Sequence, residues 1–316
     1  MPSSPSTPSP KPTASSNHLL IDGDILAFVS AAAAQGVFRD VGGWHMPIAN
    51  ETHGEAILEN MLHSLKVGLN ASTYDIYLSD TESNWRHLVD DTYKRNRTGE
   101  RPLLLTFLKD YLRAKHRATH WAGLEADDIL GILATDPAEH RRTVVVGRDK
   151  DFKSIPGLHH SWKQDVDAAG HMLIREVTRW EADRFHLIQS LSGDRVDGFA
   201  GCPGIGMDRA ANIIDSPTNL VPTQGVKTRG VNKGESVTRW MAEPTQDLWA
   251  CIVSHYQKGM SQQLPDGTEP VPRASAEQAA LTTARLARIL RHGEYDRETG
   301  TVTLWTPDKI TEEHRP

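Results

Sequence analysis

Cysteine is scarce: Cys202 and Cys251 are the two in 316 residues, so no disulfide framework braces the fold. That usage fits a reducing compartment and leads us to expect a cytoplasmic protein. Long apolar runs are missing too, so no bilayer-spanning segment is expected, and no apolar core near the start marks a secretory leader. Residues 1–17 are almost devoid of apolar side chains, being Pro, Ser and Thr with one charge. Such a segment cannot bury enough surface to order itself and is expected to be a disordered tail. A net positive charge is also absent, since 35 basic against 41 acidic residues give −6. Taken alone this speaks against a nucleic-acid partner. The acids are clustered, however. If nine of them were neutralised by divalent ions, 41 less nine would leave 32 against 35 bases, so net charge excludes nothing.

What is present is an alternation of strand and helix signals. Residues 18–21 read as a strand running through Asp22-Gly-Asp24 into an Ala-rich helix. Helical spacing covers 55–69, strand alternation 74–78, and a second helix 103–112. A short strand is expected near 118–121, a helix opens at Glu125-Ala-Asp127-Asp128, and Val144 to Val146 run into Gly147-Arg-Asp149-Lys-Asp151. This order predicts an α/β domain with a mainly parallel sheet over residues 18–190. Thr178-Arg-Trp-Glu181 is a capping box. Residues 191–316 read as helices joined by loops, with a Gly/Lys-rich insertion at 223–235 and a closing strand in TVTLW.

Carboxylates gather where the strands end: Asp22, Asp80, Glu125 with Asp127 and Asp128, and Asp149 with Asp151. Parallel strands place those ends on one edge, where open sheets bind ligands. Glu125 and Asp128 share one helix face and Asp127 another. Asp194 and Asp197 form a fifth group. A single aspartate after a strand is ordinarily a helix cap. Five groups, four at one edge, point instead to cations, and a pure oxygen donor set suits Mg²⁺ or Mn²⁺ rather than Zn²⁺. Such sites act on phosphates. The run Tyr93-Lys94-Arg95-Asn96-Arg97 follows Asp80 and would place Lys94 and Arg97 together on a phosphate. Gly201-Cys-Pro-Gly204-Ile-Gly206, just before a helix containing Arg209, suits a helix–hairpin–helix grip on a DNA backbone.

The ordered motifs IDGD, YLSD, YKRNR, LEADD, GRDKDF, SGDRVDG and GCPGIG resemble the 5′-nuclease (flap endonuclease) superfamily, most closely the phage exonucleases that degrade duplex DNA from 5′ ends. The resemblance implies a PIN-like catalytic domain, a mainly parallel sheet flanked by helices, followed by a helical DNA-binding region of helix–three-turn–helix type. It implies a first metal site of Asp22, Asp80, Glu125, Asp127 and Asp128 and a second of Asp149, Asp151, Asp194 and Asp197. Some of these carboxylates would act through water. Lys94 and Arg97 would be the catalytic basic pair and Tyr93 a base-stacking aromatic. Tyr93, Arg95, Gly201, Gly204, Gly206 and Arg209 would meet DNA, with a monovalent cation at the glycine turn. The expected function is Mg²⁺-dependent 5′→3′ hydrolysis of duplex DNA to 5′-phosphorylated products, on free 5′ ends or 5′ flaps, with Mn²⁺ able to substitute. If the protein is phage-encoded, the host cytoplasm is its expected place of action. Two sequence departures are Asp24, where Ser, Thr or Asn is common, and Asp208, where Lys is frequent. Asp22 and Asp24 also fit the nucleophile motif of haloacid-dehalogenase-type phosphomonoesterases, an alternative that leaves YKRNR and GIG unexplained. A non-catalytic DNA-binding relative is the other alternative.

Overall fold

The structure is a computed structural model that describes residues 16–162, 164–231, 233–264 and 269–310. Most of the Ser/Pro-rich tail therefore lies outside the described residues, and Asn17, assigned to it above, already opens the first strand. The chain runs β1 (Asn17–Asp22), α1 (Gly23–Ala34), β2 (Gln35–Arg39), β3 (His45–Ala49), α2 (Glu51–Gly68), β4 (Ala71–Tyr77), α3 (Leu105–His116), α4 (Ala126–Ala134), β5 (Thr143–Gly147), β6 (Gly157–Ser161) and β7 (Arg175–Val177). It continues with α5 (Arg179–Ser192), β8 (Gly193–Asp194), β9 (Phe199–Ala200), α6 (Met207–Asp215), β10 (Thr218–Val226), β11 (Ser236–Pro244), α7 (Leu248–Ser261), α8 (Arg273–Ala287), β12 (Tyr295–Asp296) and β13 (Thr301–Val302).

The main sheet has the order β4-β1-β5-β6-β7, parallel except for β7 at one edge. β1 is buried along its whole length because both faces are covered. Leu19, Ile21, Val144 and Val146 pack on one face against Leu26 of α1, Leu58 and Leu62 of α2, and Leu108 and Leu112 of α3. Leu20 and Val145 point to the opposite face and meet Leu130 of α4 and Ile289. A continuous valine run is what a strand buried on both sides requires. In register, Ile21 pairs with Ile76 on one side and Val146 on the other, so the residues after these positions emerge at one edge.

The second half has its own core, built by Leu187 and Leu191 of α5, Ile214 of α6, Ile252 and Tyr256 of α7, and Ala276, Ala280 and Ala284 of α8. Thr178 and Glu181 form the reciprocal capping box that starts α5. A division at residue 190 falls within α5, and residues 286–290 pack back beside the sheet through Ile289 and Leu290.

Three expectations about elements need correction, among them the closing strand, of which only Thr301–Val302 pairs, and one hairpin went unread. The strand near 118–121 is reduced to an isolated bridge between Tyr77 and Thr119. The connection after α1 is a hairpin, β2 with β3, almost wholly exposed and so without a burial period to read. The insertion in the helical half begins inside a strand: residues 223–226 belong to β10, which pairs along its whole nine-residue length with β11.

Candidate active site

Strand ends and helix starts supply the acids. Asp22 ends β1 and caps α1, its Oδ1 accepting from the N–H groups of Asp24 at 2.9 Å and Ile25 at 3.1 Å. Asp149 follows β5 and its Oδ1 accepts from Asp151 N–H at 2.9 Å, capping a short 3₁₀ turn at residues 150–154. In both residues the cap engages Oδ1 alone, so capping and cation binding are compatible. Asp151 Oδ1 accepts from Gln189 Nε2 at 2.7 Å. Asp194 receives Lys150 Nζ at 2.7 Å and Val196 N–H at 2.8 Å. One ligand atom each from Glu125, Asp127 and Asp128 lies within 4.8 Å of the others at the start of α4.

The basic run folds down onto these acids. Lys94 Nζ lies 2.5 Å from Glu125 Oε1 and 3.4 Å from Asp197 Oδ2, and Arg97 pairs with Asp197 Oδ1. Lys94 adopts φ 58° and its N–H donates to Asp197 C=O at 2.9 Å, while Asn96 Nδ2 donates to Arg195 C=O at 2.8 Å. Lys94 and Arg97 thus converge through a turn docked on residues 194–198 rather than through a helix.

Several assigned residues have further partners in the fold. Tyr93 is 3% exposed, its ring stacked on Phe199 at 6.3 Å and its hydroxyl donating to Glu125 at 3.0 Å and Asp197 at 3.1 Å. In this conformation the buried Tyr93 ring is covered and its hydroxyl ties the basic turn to the acids. Asp80 accepts from Glu82 N–H, Ser83 Oγ and Gly123 N–H, which pin a loop and hold its carboxyl below the usual range despite partial burial. Asp128 is fully buried, and its oxygens receive Arg86 Nη1 at 2.7 Å, Arg86 Nη2 at 2.9 Å and Trp85 Nε1 at 2.9 Å. Arg95 is exposed and pairs with Asp91. A side chain at Gly201 would collide with the backbone of Ser192 and Gly193, so that glycine serves packing. Gly204, at φ +75°, and Gly206, which caps α6 without a side chain, face open space, and Arg209 Nη1 donates to Gly204 C=O at 3.3 Å.

A family model described as 5′-3′ exonuclease, N-terminal resolvase-like domain matches residues 17–177. The chain belongs to this 5′–3′ exonuclease family. It is 33% identical to an exodeoxyribonuclease of Enterobacteria phage T3 over 302 residues, 92% of each chain, and 32% identical to an exonuclease of Escherichia phage T7, covering 92% of this chain and 93% of that one. A flap endonuclease Xni of Shewanella baltica is 30% identical over 148 residues, 44% of this chain and 55% of the relative. Among solved structures, a T5 5′-exonuclease with bound zinc superposes at TM-score 0.50 and 15% identity over 86% of this chain and 89% of that one, which speaks to the fold.

In this exonuclease the acids repel one another strongly. Burial, then Asp24 and Asp149, push the Asp22 carboxyl up to about 7. Burial, then Asp149, Asp194 and Asp197, do the same to Asp151, also to about 7. Asp127 is raised well above its ordinary value by burial and by Asp128 and Glu125. Burial would raise Glu125 as well, but Arg86 and Lys94 overcome it and hold that carboxyl at about 2. All-oxygen donors with too much like charge are what hard divalent cations neutralise, so the residues fit such ions. The sign of the pH effect follows. Folded Asp22 and Asp151 keep protons that the unfolded chain releases near pH 4, so the metal-free fold loses stability as pH rises from about 4 to about 7. A divalent ion must displace those protons. The rise in Tm on adding Mg²⁺ should therefore be small near pH 5.5 and larger near pH 8. Equal rises at both would contradict the coupling.

Sequence reasoning missed Arg86, which is 2% exposed and also donates to the carbonyls of Leu286 at 3.0 Å and Arg288 at 2.6 Å. It lies in the polar stretch TESNWRHLVDD, where nothing distinguishes a buried arginine from an exposed one. Gln189 and Lys109 were equally silent; Lys109 Nζ lies 2.6 Å from Asp24 Oδ1.

Proposed function

We propose that this chain is a Mg²⁺-dependent 5′→3′ exodeoxyribonuclease that hydrolyses duplex DNA by a two-metal mechanism and also cuts 5′ flaps. The carrying observation is the convergence of Asp22, Glu125, Asp127, Asp149, Asp151, Asp194 and Asp197 with Lys94 and Arg97 set against them. Glu125, Asp127 and Asp22 would hold one ion, with Asp128 positioning that group from behind through Arg86. Asp149, Asp151, Asp194 and Asp197 would hold the other, directly or through water. Asp80 would act only on its loop. When bound, the pair supplies an acidified water and positive charge at the phosphate, and Mn²⁺ would substitute for Mg²⁺. Lys94 and Arg97, paired with Glu125 and Asp197 in the DNA-free site, would turn their charge to the non-bridging oxygens as the ions take over those carboxylates. Hydrolysis would leave the phosphate on the 5′ side of each product. Gly204 and Gly206 would admit a duplex phosphate to the start of α6, with a monovalent cation at that turn and Arg209 beside it, so binding is salt-sensitive and sequence-tolerant. We place the activity in the cytoplasm, which the scarcity of cysteine favours. The phosphomonoesterase alternative needs Asp24 as a free acid, whereas Asp24 is held by Lys109 and by Ser79 N–H at 2.9 Å.

Duplexes labelled at the 5′ or the 3′ terminus, with and without Mg²⁺, test this reading. Label should leave the 5′ end first as 5′-phosphorylated mono- or short oligonucleotides, and a nicked circle should be degraded while a closed one is spared. Label released first from the 3′ end, or hydrolysis undiminished in EDTA, would overturn it. Chemistry and grip should also separate. Lys94→Ala should lower the single-turnover rate at saturating DNA by about 10²- to 10³-fold with a small change in Kd. Gly204→Ala with Gly206→Ala should weaken Kd and leave that rate near wild type. Equal rate losses in both variants would refute this division.

A further inference from the structure

The Gly/Lys-rich insertion is a prominent sequence feature that hydrolysis does not absorb. β10 and β11 pair in register from Thr218↔Pro244 to Val226↔Ser236, and no residue of either strand is buried. Nine residues per strand give a ribbon about 30 Å long. It is fastened near its base, where Leu220 N–H donates to Ser254 Oγ of α7 at 3.0 Å and Thr245 N–H to Pro217 C=O at 3.2 Å. An isolated two-stranded hairpin is marginally stable in water, and this one covers little of the core. Its tip, residues 227–235, is shaped by Gly230 and Gly234 at φ +84° and +93°, with Lys227 N–H donating to Glu235 C=O at 2.9 Å and Gly234 N–H to Lys227 C=O at 2.9 Å. Within 218–244 lie Lys227, Arg229, Lys233 and Arg239 against Glu235 and Glu243, a net charge of +2 in a chain of net charge −6. Lys227 is paired with Glu235 at 2.9 Å, and Arg239 Nη2 donates to Val226 C=O at 3.1 Å. Among the described residues Arg229 and Lys233 have no ion pair.

We propose that this ribbon is a second duplex-DNA contact, gripping phosphates beyond the α6 turn; the proposal rests on the duplex-nuclease reading above. A two-stranded antiparallel ribbon has the width to enter a major groove, and Arg229 and Lys233 at its tip supply positive charge that nothing described in the protein neutralises. The ribbon departs two residues after α6 ends, so the turn and the ribbon belong to one continuous DNA-facing segment, residues 201–244. Its reach of about 30 Å corresponds to about nine base pairs, which makes the contact dependent on duplex length.

The test compares wild type with the double variant Arg229→Glu, Lys233→Glu. Both substitutions sit in an exposed tip where folding is unaffected, and a thermal melt checks this. Binding is measured in EDTA across a salt series, on a duplex of about 30 base pairs and on one of about eight. The expected result is roughly tenfold weaker binding of the long duplex, with a log Kd against log salt slope shallower by about two. Affinity for the short duplex and the single-turnover rate at saturating long duplex should stay at wild-type values. Unchanged affinity and slope on the long duplex would overturn the ribbon contact and leave the nuclease reading standing. Equal losses on both lengths would also overturn it, by placing the effect at the turn. Failure of the wild type to bind either duplex would overturn both readings.

Discussion

Replacing Asp149 and Asp151 with asparagine is expected to lower Mg²⁺-dependent hydrolysis by about a thousandfold or more while the metal-free protein stays folded. Asparagine keeps the oxygen that accepts from Asp151 N–H and the one that accepts from Gln189 Nε2, so the turn at residues 150–154 retains its local hydrogen bonds. What disappears is charge. In the absence of metal that charge is harmful, because Asp151 is crowded by Asp149, Asp194 and Asp197. The metal-free double variant should therefore melt at or above the wild-type temperature near pH 8, and it should lose the Mg²⁺-induced rise in Tm. Full hydrolysis by the variant would remove these two residues from the metal centre. A large fall in metal-free Tm would show that they serve the fold instead.

Arg86→Met should produce the largest loss of stability, about 3 to 5 kcal/mol in urea unfolding. The guanidinium is buried and bridges Asp128, Glu125 and the carbonyls of Leu286 and Arg288, joining the start of α4 to the C-terminal end of α8. Its removal leaves the Asp128 carboxylate buried without a counter-charge, and the cost of that unpaired ion dominates. The combination Arg86→Met with Asp128→Leu should recover much of the loss, since it removes both charges from the apolar surroundings. A single-variant loss within about 0.5 kcal/mol, the range of ordinary surface changes, would contradict this role. A double variant no more stable than the single one would show that the carbonyl contacts carry the effect.

The sheet edge was legible because it rests on local rules. A valine run buried on both faces must end somewhere, and polar residues just beyond it lie at a known edge. Asp22 and Asp149 illustrate why such positions are ambiguous one at a time: each is a cap through Oδ1. Their pooled charge becomes visible when Asp22 is placed near Asp149, and Asp151 near Asp194 and Asp197, positions far apart in the chain. What was hidden depends on long-range partners. Asp80 reads like the other strand-end acids, and its contact with Gly123 N–H, 43 positions away, was not readable. Tyr93 reads as an aromatic among cations, and Phe199 decides that it is buried. Asp128 differs from Asp127 by one position on α4, which is enough to aim it at Arg86. The β10–β11 ribbon left no burial period because no residue of either strand is fully buried.

The most direct measurement is anomalous scattering from crystals of the protein grown with Mn²⁺. Two peaks are expected, one among Glu125, Asp127 and Asp22 and the other among Asp149, Asp151, Asp194 and Asp197, about 4 Å apart as two-metal phosphodiesterase chemistry requires. Lys94 should have withdrawn from Glu125, and Asp80 and Asp128 should keep their present partners. No Mn²⁺ peak among these carboxylates at millimolar metal, or peaks centred on Asp80, would contradict the two-metal assignment.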